Sequence, residues 1–193
     1  QHGKEQGSRL TDKHLSHSHS SQSVLRSFNI PDAGFGKRVN FQLNSRNFVS
    51  QIFLVCDMAV SDGGGYCKNL GLSLLKSVDL RYSGRKFHEC DVETENFIQM
   101  HKNKEPEKLA ELLRICGGAN FATTKKVVVP LINYFSPLHR QKFEKGPCWY
   151  NTQGSSRLEV ELKFRAKDDV CAGSGSITSC EVYYEEVHVP LAV

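Results

Sequence analysis

The sequence is most informative first in what it has little of. It holds a single Trp and two Met, and its longest uninterrupted apolar stretch, Val127 to Ile132, is six residues long and includes Pro130. A helix crossing a bilayer needs about 20 apolar residues, so no membrane span is expected. The first residues, QHGKEQGSRLTDKHLSHSHSS, lack the apolar centre of a secretory signal. No Asn-x-Ser/Thr sequon occurs, and none of the seven cysteines forms a Cys-x-x-Cys pair. An odd, scattered cysteine set argues against a zinc ribbon and against a fully paired disulfide framework. Free, mostly buried thiols are expected instead.

Catalytic signatures are also lacking. There is no Gly-x-Ser-x-Gly elbow and no His-Glu-x-x-His. Gly63-Gly64-Gly65 lacks the Gly-Lys-Ser/Thr of a phosphate loop, and Gly173-Ser174-Gly175-Ser176 leads into a strand pattern, so both read as hairpin or surface loops. His88 and Cys90 share a strand face but have no orienting third residue, which acyl chemistry requires. His14, His17 and His19 fit no regular ligand face. No enzyme, cofactor or metal is therefore expected. The charge balance, 25 Lys+Arg against 21 Asp+Glu, is interleaved and names no nucleic-acid partner. Lys142, Phe143, Lys145, Trp149 and Tyr150 interleave bases and aromatics, but a loop covering the end of a sandwich with its aromatics buried is the better reading of that pattern.

What is present is 193 residues, 39% hydrophobic, with a mean hydropathy of −0.42. A chain of this size folding as one domain buries roughly 70% of its unfolded surface, enough for a core without staples. Residues 1 to about 27 are rich in Ser, His, Gln and Lys and are expected to form a flexible polar arm. From Phe28 onward short strands dominate. Arg38 to Leu43 and Arg157 to Phe164 alternate apolar and polar residues, as does Ser77 to Tyr82, which runs into a tight Ser83-Gly84 turn. Gln51 to Val60 is more continuously apolar and suits a strand buried on both faces or against a helix. Lys126 to Ile132 carries Pro130, a mark of an edge or a bulge. Cys180 to Val189 supplies the last strand.

A helical insertion at about 91–116 interrupts these strands. Asp91 can cap a first helix, and a second begins at Pro106, with Leu109, Leu112, Leu113 and Cys116 as its apolar stripe and Gly117-Gly118 as its stop. The pattern indicates a mainly β chain: an antiparallel sandwich or barrel of seven to eight strands with a short helical insertion.

The order SVDLRYSGRKF, then two helices, then VVVPLINYFSPLHRQKF, RLEVELKF and SCEVYYEEVHV is specific enough to resemble a known family. It is similar to a jelly-roll domain of the double-jelly-roll major capsid proteins of double-stranded DNA viruses, the nucleocytoplasmic, virophage and polinton-like lineage. The likeness covers about residues 35 to 190. It implies an eight-stranded jelly-roll sandwich over 28–193 and a structural capsid protein that assembles through side-to-side contacts into capsomers of an icosahedral shell. It further implies self-association as a trimeric or pseudo-hexameric capsomer, other capsid proteins as partners, and a place in the virion after assembly in host cytoplasm or nucleus. Intersubunit contacts would fall on the arm, at Arg9, Lys13 and Arg26, and on the aromatic segment, at Tyr134, Phe135, Leu138 and Phe143. The family carries two jelly rolls and this chain has room for one. The rival reading is a carbohydrate- or receptor-binding sandwich, such as a vertex or minor capsid protein, with Asn133 to Gln153 as its site. A cupin-like enzyme would need inward His-x-His and Glu/His ligands that the strands lack.

Overall fold

The computed structural model describes residues 22–43, 48–92, 94, 106–131, 150–151 and 157–188. Among the described residues nine strands run in the order β1 (Gln22–Asn29), β2 (Arg38–Leu43), β3 (Phe48–Met58), β4 (Leu75–Tyr82), β5 (Arg85–Asp91), β6 (Lys125–Pro130), β7 (Tyr150–Asn151), β8 (Leu158–Phe164) and β9 (Ile177–His188). Three helices are described between them: α1 (Leu70–Ser73), α2 (Pro106–Ile115) and α3 (Lys167–Val170).

All pairings are antiparallel and nested. β1 pairs β9, β2 pairs β8, β3 pairs β6 and β4 pairs β5, so the chain behaves as one long hairpin whose rungs alternate between two sheets. The innermost turn is Ser83-Gly84, with φ of 49° and 78°. Two successive positive φ values match the twist of the flanking strands, and Gly84 adopts its own without strain. Further pairing of β9 with β3 and of β8 with β4 gives the final order: β1-β9-β3-β6 in one sheet and β2-β8-β4-β5 in the other. This is a jelly-roll sandwich. The two-residue β7, a ninth strand beyond the expected eight, adds to β3 at Phe48 and Val49.

The core follows from alternation. Val39, Phe41 and Leu43 of β2 and Leu158, Val160, Leu162 and Phe164 of β8 are buried, with polar neighbours turned outward. They meet Ile52, Leu54, Cys56 and Met58 of β3, Val127 and Val129 of β6, and Cys180 and Val182 of β9 in one continuous cluster. Burying a side chain of this size contributes about 1.5–3 kcal/mol.

Two expectations need correction. The arm was expected to reach residue 27, yet Gln22–Ser27 lies within β1 and pairs residue by residue with Tyr183–His188. Composition misses an edge strand because its backbone ladder holds it. Here one aromatic, Phe28, adds edge-on contacts to Phe41 at 5.5 Å and Tyr184 at 6.3 Å. Residues 1–21 lie outside the described residues. β3 was expected to be buried on both faces or against a helix, but Phe53, Val55 and Asp57 turn outward and are only half-buried.

The helical region agrees where it is described. Asp91 Oδ1 accepts the Thr94 amide at 3.0 Å, the capping geometry expected of it, although most of 93–105 lies outside the described residues. α2 ends at Gly117 and Gly118, both with positive φ. Its Leu109, Leu112 and Leu113 are half-buried, whereas Cys116 just beyond is fully buried. Pro130 does sit on an edge strand, since β6 pairs through β3 alone among the described strands. There its missing N–H costs no ladder bond.

Candidate functional site

The two sheets present different faces to the outside. On the β2-β8-β4-β5 sheet, strict alternation turns Arg38, Asn40, Gln42, Asp79, Arg81, Glu159, Glu161 and Lys163 outward. Most of these groups are committed to one another. Glu161 accepts from Arg81 at 2.8 Å and from Arg38 at 3.2 Å, and Lys86 bridges Asp79 at 2.9 Å and Glu89 at 2.7 Å. Gln42 donates to Glu159 and accepts from Arg157, each at 3.3 Å. A shallow groove lined by Asn40, Phe41, Gln42, Arg81, Glu159, Val160 and Glu161 runs across this face. Because its polar walls already hold each other, it offers few groups for a ligand to engage.

The outer face of the β1-β9-β3-β6 sheet is built differently. Register places Ser27, Tyr183, Phe53 and Pro130 in one row and Asn29, Glu181, Val55 and Val128 in the next. Phe53 and Tyr183 stack with ring centroids 5.4 Å apart and planes 7° from parallel. Leu25, 57% exposed, extends the band onto β1. Asp57, with Lys126 at 3.3 Å and Ser179 at 2.7 Å, closes it at one end. Tyr183 donates its hydroxyl to Glu181 at 2.7 Å, which pushes the phenol up from its ordinary value. The result is a half-exposed band of Leu25, Phe53, Val55, Val128, Pro130 and Tyr183. The strands carrying it, β3 and β6, are those whose sequences run apolar on both faces.

Of the contact residues expected from the sequence, Arg26 is described. It sits on β1 on the same side as Phe28, and its Nε donates to Glu186 Oε2 at 2.9 Å. Glu186 is itself buried. Arg26 thus neutralises a carboxylate at the rim of the sandwich and is held in the fold as well as half-exposed. Arg9, Lys13, Tyr134, Phe135, Leu138 and Phe143 lie outside the described residues, as do His14, His17 and His19. The sequence reading missed Leu25, Phe53 and Tyr183. For Phe53 the signal available was the lack of alternation in β3, whereas Leu25 and Tyr183 join the band only through the pairing of β1 and β3 with β9.

One end of the sandwich is closed by loops that the sequence presents as unrelated. The two glycine clusters pack on each other: a side chain at Gly64 would strike Ala172, and one at Gly173 would strike the Asp62 carbonyl. Between them Tyr66 is fully buried, donating its hydroxyl to the Ala59 carbonyl at 2.7 Å and to that of Ser176 at 3.3 Å. Its ring lies 5.0 Å from Phe121, and its amide donates to the Phe121 carbonyl at 2.7 Å. Lys125 finishes this end, donating to the Gly117 carbonyl at 2.6 Å and lying 4.9 Å over the Phe121 ring. At Gly64 and Gly173 the absence of a side chain serves this close packing.

No group of three or more His, Cys, Asp or Glu side chains among the described residues is arranged to hold a metal. Cys171 lies 3.3 Å from Ser61 Oγ. Burial acts to raise its thiol, but contacts with Ser61 and with the Gly173 and Gly175 backbone bring it net below its ordinary value. At 4% exposure it is closed to a substrate. No helix among the described residues is long and apolar enough to cross a membrane.

No protein-family model matches the sequence, and no curated protein matches it. Solved structures do match by shape. The VP54 capsid protein of PBCV-1, fitted into a reconstruction of the virophage Sputnik, superposes with a TM-score of 0.66 at 12% identity, over 89% of this chain and 43% of that one. The PBCV-1 capsid chain in a quasi-atomic model gives 0.62 at 12% identity, over 88% and 43%. The Faustovirus major capsid protein gives 0.60 at 10% identity, over 89% and 55%. The chain therefore spans about half the length of the capsid chains it matches. Its fold is the jelly roll of the double-jelly-roll viral capsid proteins.

Proposed function

We propose that this chain is a structural capsid protein without catalytic activity, a jelly-roll block that meets its neighbours side to side in the capsomers of an icosahedral shell. The observation that carries the reading is the contrast between the outer faces. One sheet pairs most of its outward charges with one another, while the other leaves Leu25, Phe53, Val55, Val128 and Tyr183 in an apolar band that water disfavours. A second jelly roll is the proposed occupant. In the solved capsid chains the matched region accounts for 43–55% of the length, leaving room there for another domain. The partner domain comes from the rest of a longer chain or from another copy, completing a trimeric or pseudo-hexameric capsomer. Arg9 and Lys13 on the arm, and Tyr134, Phe135, Leu138 and Phe143 on the aromatic segment, are proposed to extend the same contact. The protein would act in the virion, after assembly in host cytoplasm or nucleus.

Size argues for repetition over single-contact affinity. At about 4.8 Å between strands, four strands span roughly 15–20 Å, so the band offers roughly 300 Å². A stable pairwise interface needs about 800 Å² per partner. Such a patch holds when many copies close a symmetric shell.

Face-specific variants test this. Leu25→Asp at the exposed edge and Phe53→Asp at the centre should raise the concentration needed for assembly at least about tenfold. Asn40→Asp on the charged face should leave it unchanged. Equal assembly of all three in sedimentation runs, with melting temperatures preserved, would refute the assignment of the contact face.

A further inference from the structure

Cys56 and Cys180 stand directly opposite each other on β3 and β9, the two central strands of their sheet. Both are fully buried, and their sulfurs lie 3.3 Å apart. The type of pair follows from the neighbouring strand. Cys180 gives its carbonyl to the Ile30 amide at 2.8 Å, on the β1 side. A strand residue points its N–H and C=O to the same side, so Cys180 turns its Cα–H toward Cys56. The two therefore form a non-hydrogen-bonded antiparallel pair, the class with Cα atoms about 4.5 Å apart and side chains closest. That separation lies within the range a disulfide spans. The other three described thiols have different surroundings: Cys171 contacts Ser61, Cys67 contacts Ser73, and Cys116 follows α2.

We propose that Cys56 and Cys180 are the partners of a cross-strand disulfide that staples β3 to β9 under oxidising conditions. The staple fixes the two strands that carry Phe53 and Tyr183, the centre of the apolar band. The chemistry is thiol–disulfide exchange with a small-molecule disulfide such as oxidised glutathione. One cysteine thiolate attacks glutathione disulfide, forming a mixed disulfide and releasing one glutathione thiolate. The second cysteine thiolate then attacks the protein-side sulfur and releases the other glutathione. Two protein thiols are oxidised, one small disulfide is reduced, and two protons leave the cysteines. Timing is constrained by the fold. Neither sulfur is reachable from solvent, and the hydrogen bond to Cys180, followed by burial, holds the Cys56 thiol well above its ordinary value. The bond therefore forms as the sheet closes, and the folded dithiol form reacts slowly.

The test refolds the whole chain from denaturant with oxidised and reduced glutathione in varied ratio, quenches in acid, alkylates and maps the peptides without reduction. The expected product is a species lighter by the two hydrogens lost, with the Cys56 and Cys180 peptides linked. Its melting temperature should lie about 5–15 °C above that of the reduced form. Cys56→Ala and Cys180→Ala should each abolish the difference between oxidised and reduced melting curves. Should an alanine variant not fold, the peptide map of the unaltered chain decides alone. Absence of the linked pair at every glutathione ratio, or linkage through other cysteines, would overturn the proposal.

Discussion

Removing the hydroxyl of Tyr66 should loosen the closed end of the sandwich by an amount the geometry fixes. The hydroxyl is fully buried and serves two carbonyls, Ala59 at 2.7 Å and Ser176 at 3.3 Å. The Ser176 carbonyl keeps a second donor, the Ala59 amide at 2.9 Å, so the loss falls mainly on the Ala59 carbonyl. Leaving one buried carbonyl without its partner costs about 1–3 kcal/mol, so Tyr66→Phe should cost about 1–2 kcal/mol. Tyr66→Ala also discards the ring packed against Phe121, and aromatic-to-alanine changes in cores cost about 3–5 kcal/mol. A domain typically has about 5–15 kcal/mol in total, so the alanine variant sits near the limit of folding while the phenylalanine variant remains measurable. For a chain of this length each kcal/mol shifts the melting temperature by about 2–4 °C, giving a drop of about 2–8 °C for Tyr66→Phe. Urea titration should show a lower midpoint with an unchanged slope, since the end loops loosen without changing the surface exposed on unfolding. Identical midpoints for the native chain and Tyr66→Phe would refute the idea that this hydroxyl ties the end loops together.

Further outcomes follow from charge and burial. Cys116 is fully buried, and burial pushes its thiol up from 9.0 to about 12, so the folded state favours the neutral form. The sign is then set: stability is intact below pH 9 and falls as pH rises from 9 toward about 12, by an amount on the order of 4 kcal/mol at the top of that window. Cys116→Ala should make this alkaline limb shallower in denaturant titrations at stepped pH, the raised Cys56 and Tyr183 groups keeping part of it, and an unchanged limb would contradict the assignment. Glu186→Gln and Arg26→Ala test the rim pair. Removing Arg26 takes one donor, at 2.9 Å, from a nearly buried carboxylate, and because Arg26 itself is 53% exposed the loss is limited to about 1 kcal/mol. The double variant should recover part of that loss, and strict additivity would show that the two groups do not interact.

Legibility of the fold in the sequence tracks the physics of each strand. β2 and β8 alternate because one face meets the core and the other carries charge, so Arg38–Leu43 and 157–164 are readable almost residue by residue. β1 is an edge strand in which Ser23, Arg26, Ser27 and Asn29 outweigh its apolar residues. Composition reads such a segment as unstructured, because the ladder to β9 leaves no mark on side-chain pattern. β3 and β6 are apolar on both faces, which local periodicity cannot separate from complete burial. Only the register with β9 shows that Phe53, Val55 and Val128 face outward. The closed end is a long-range product: Ser61 meets Cys171 and Tyr66 meets Ser176 across 110 residues of chain, beyond any local signal. For the candidate site, Arg26 was expected on the flexible arm as an intersubunit contact, and its place on β1 and its partner Glu186 emerge only from the β1-β9 pairing.

The central claim, that this jelly roll is a shell-building block, is tested most directly by imaging the purified protein at high concentration. The account predicts trimers with a pseudo-hexagonal outline, or sheets built from them, that disperse on dilution. A monomer at every concentration, with no ordered assembly, would contradict it.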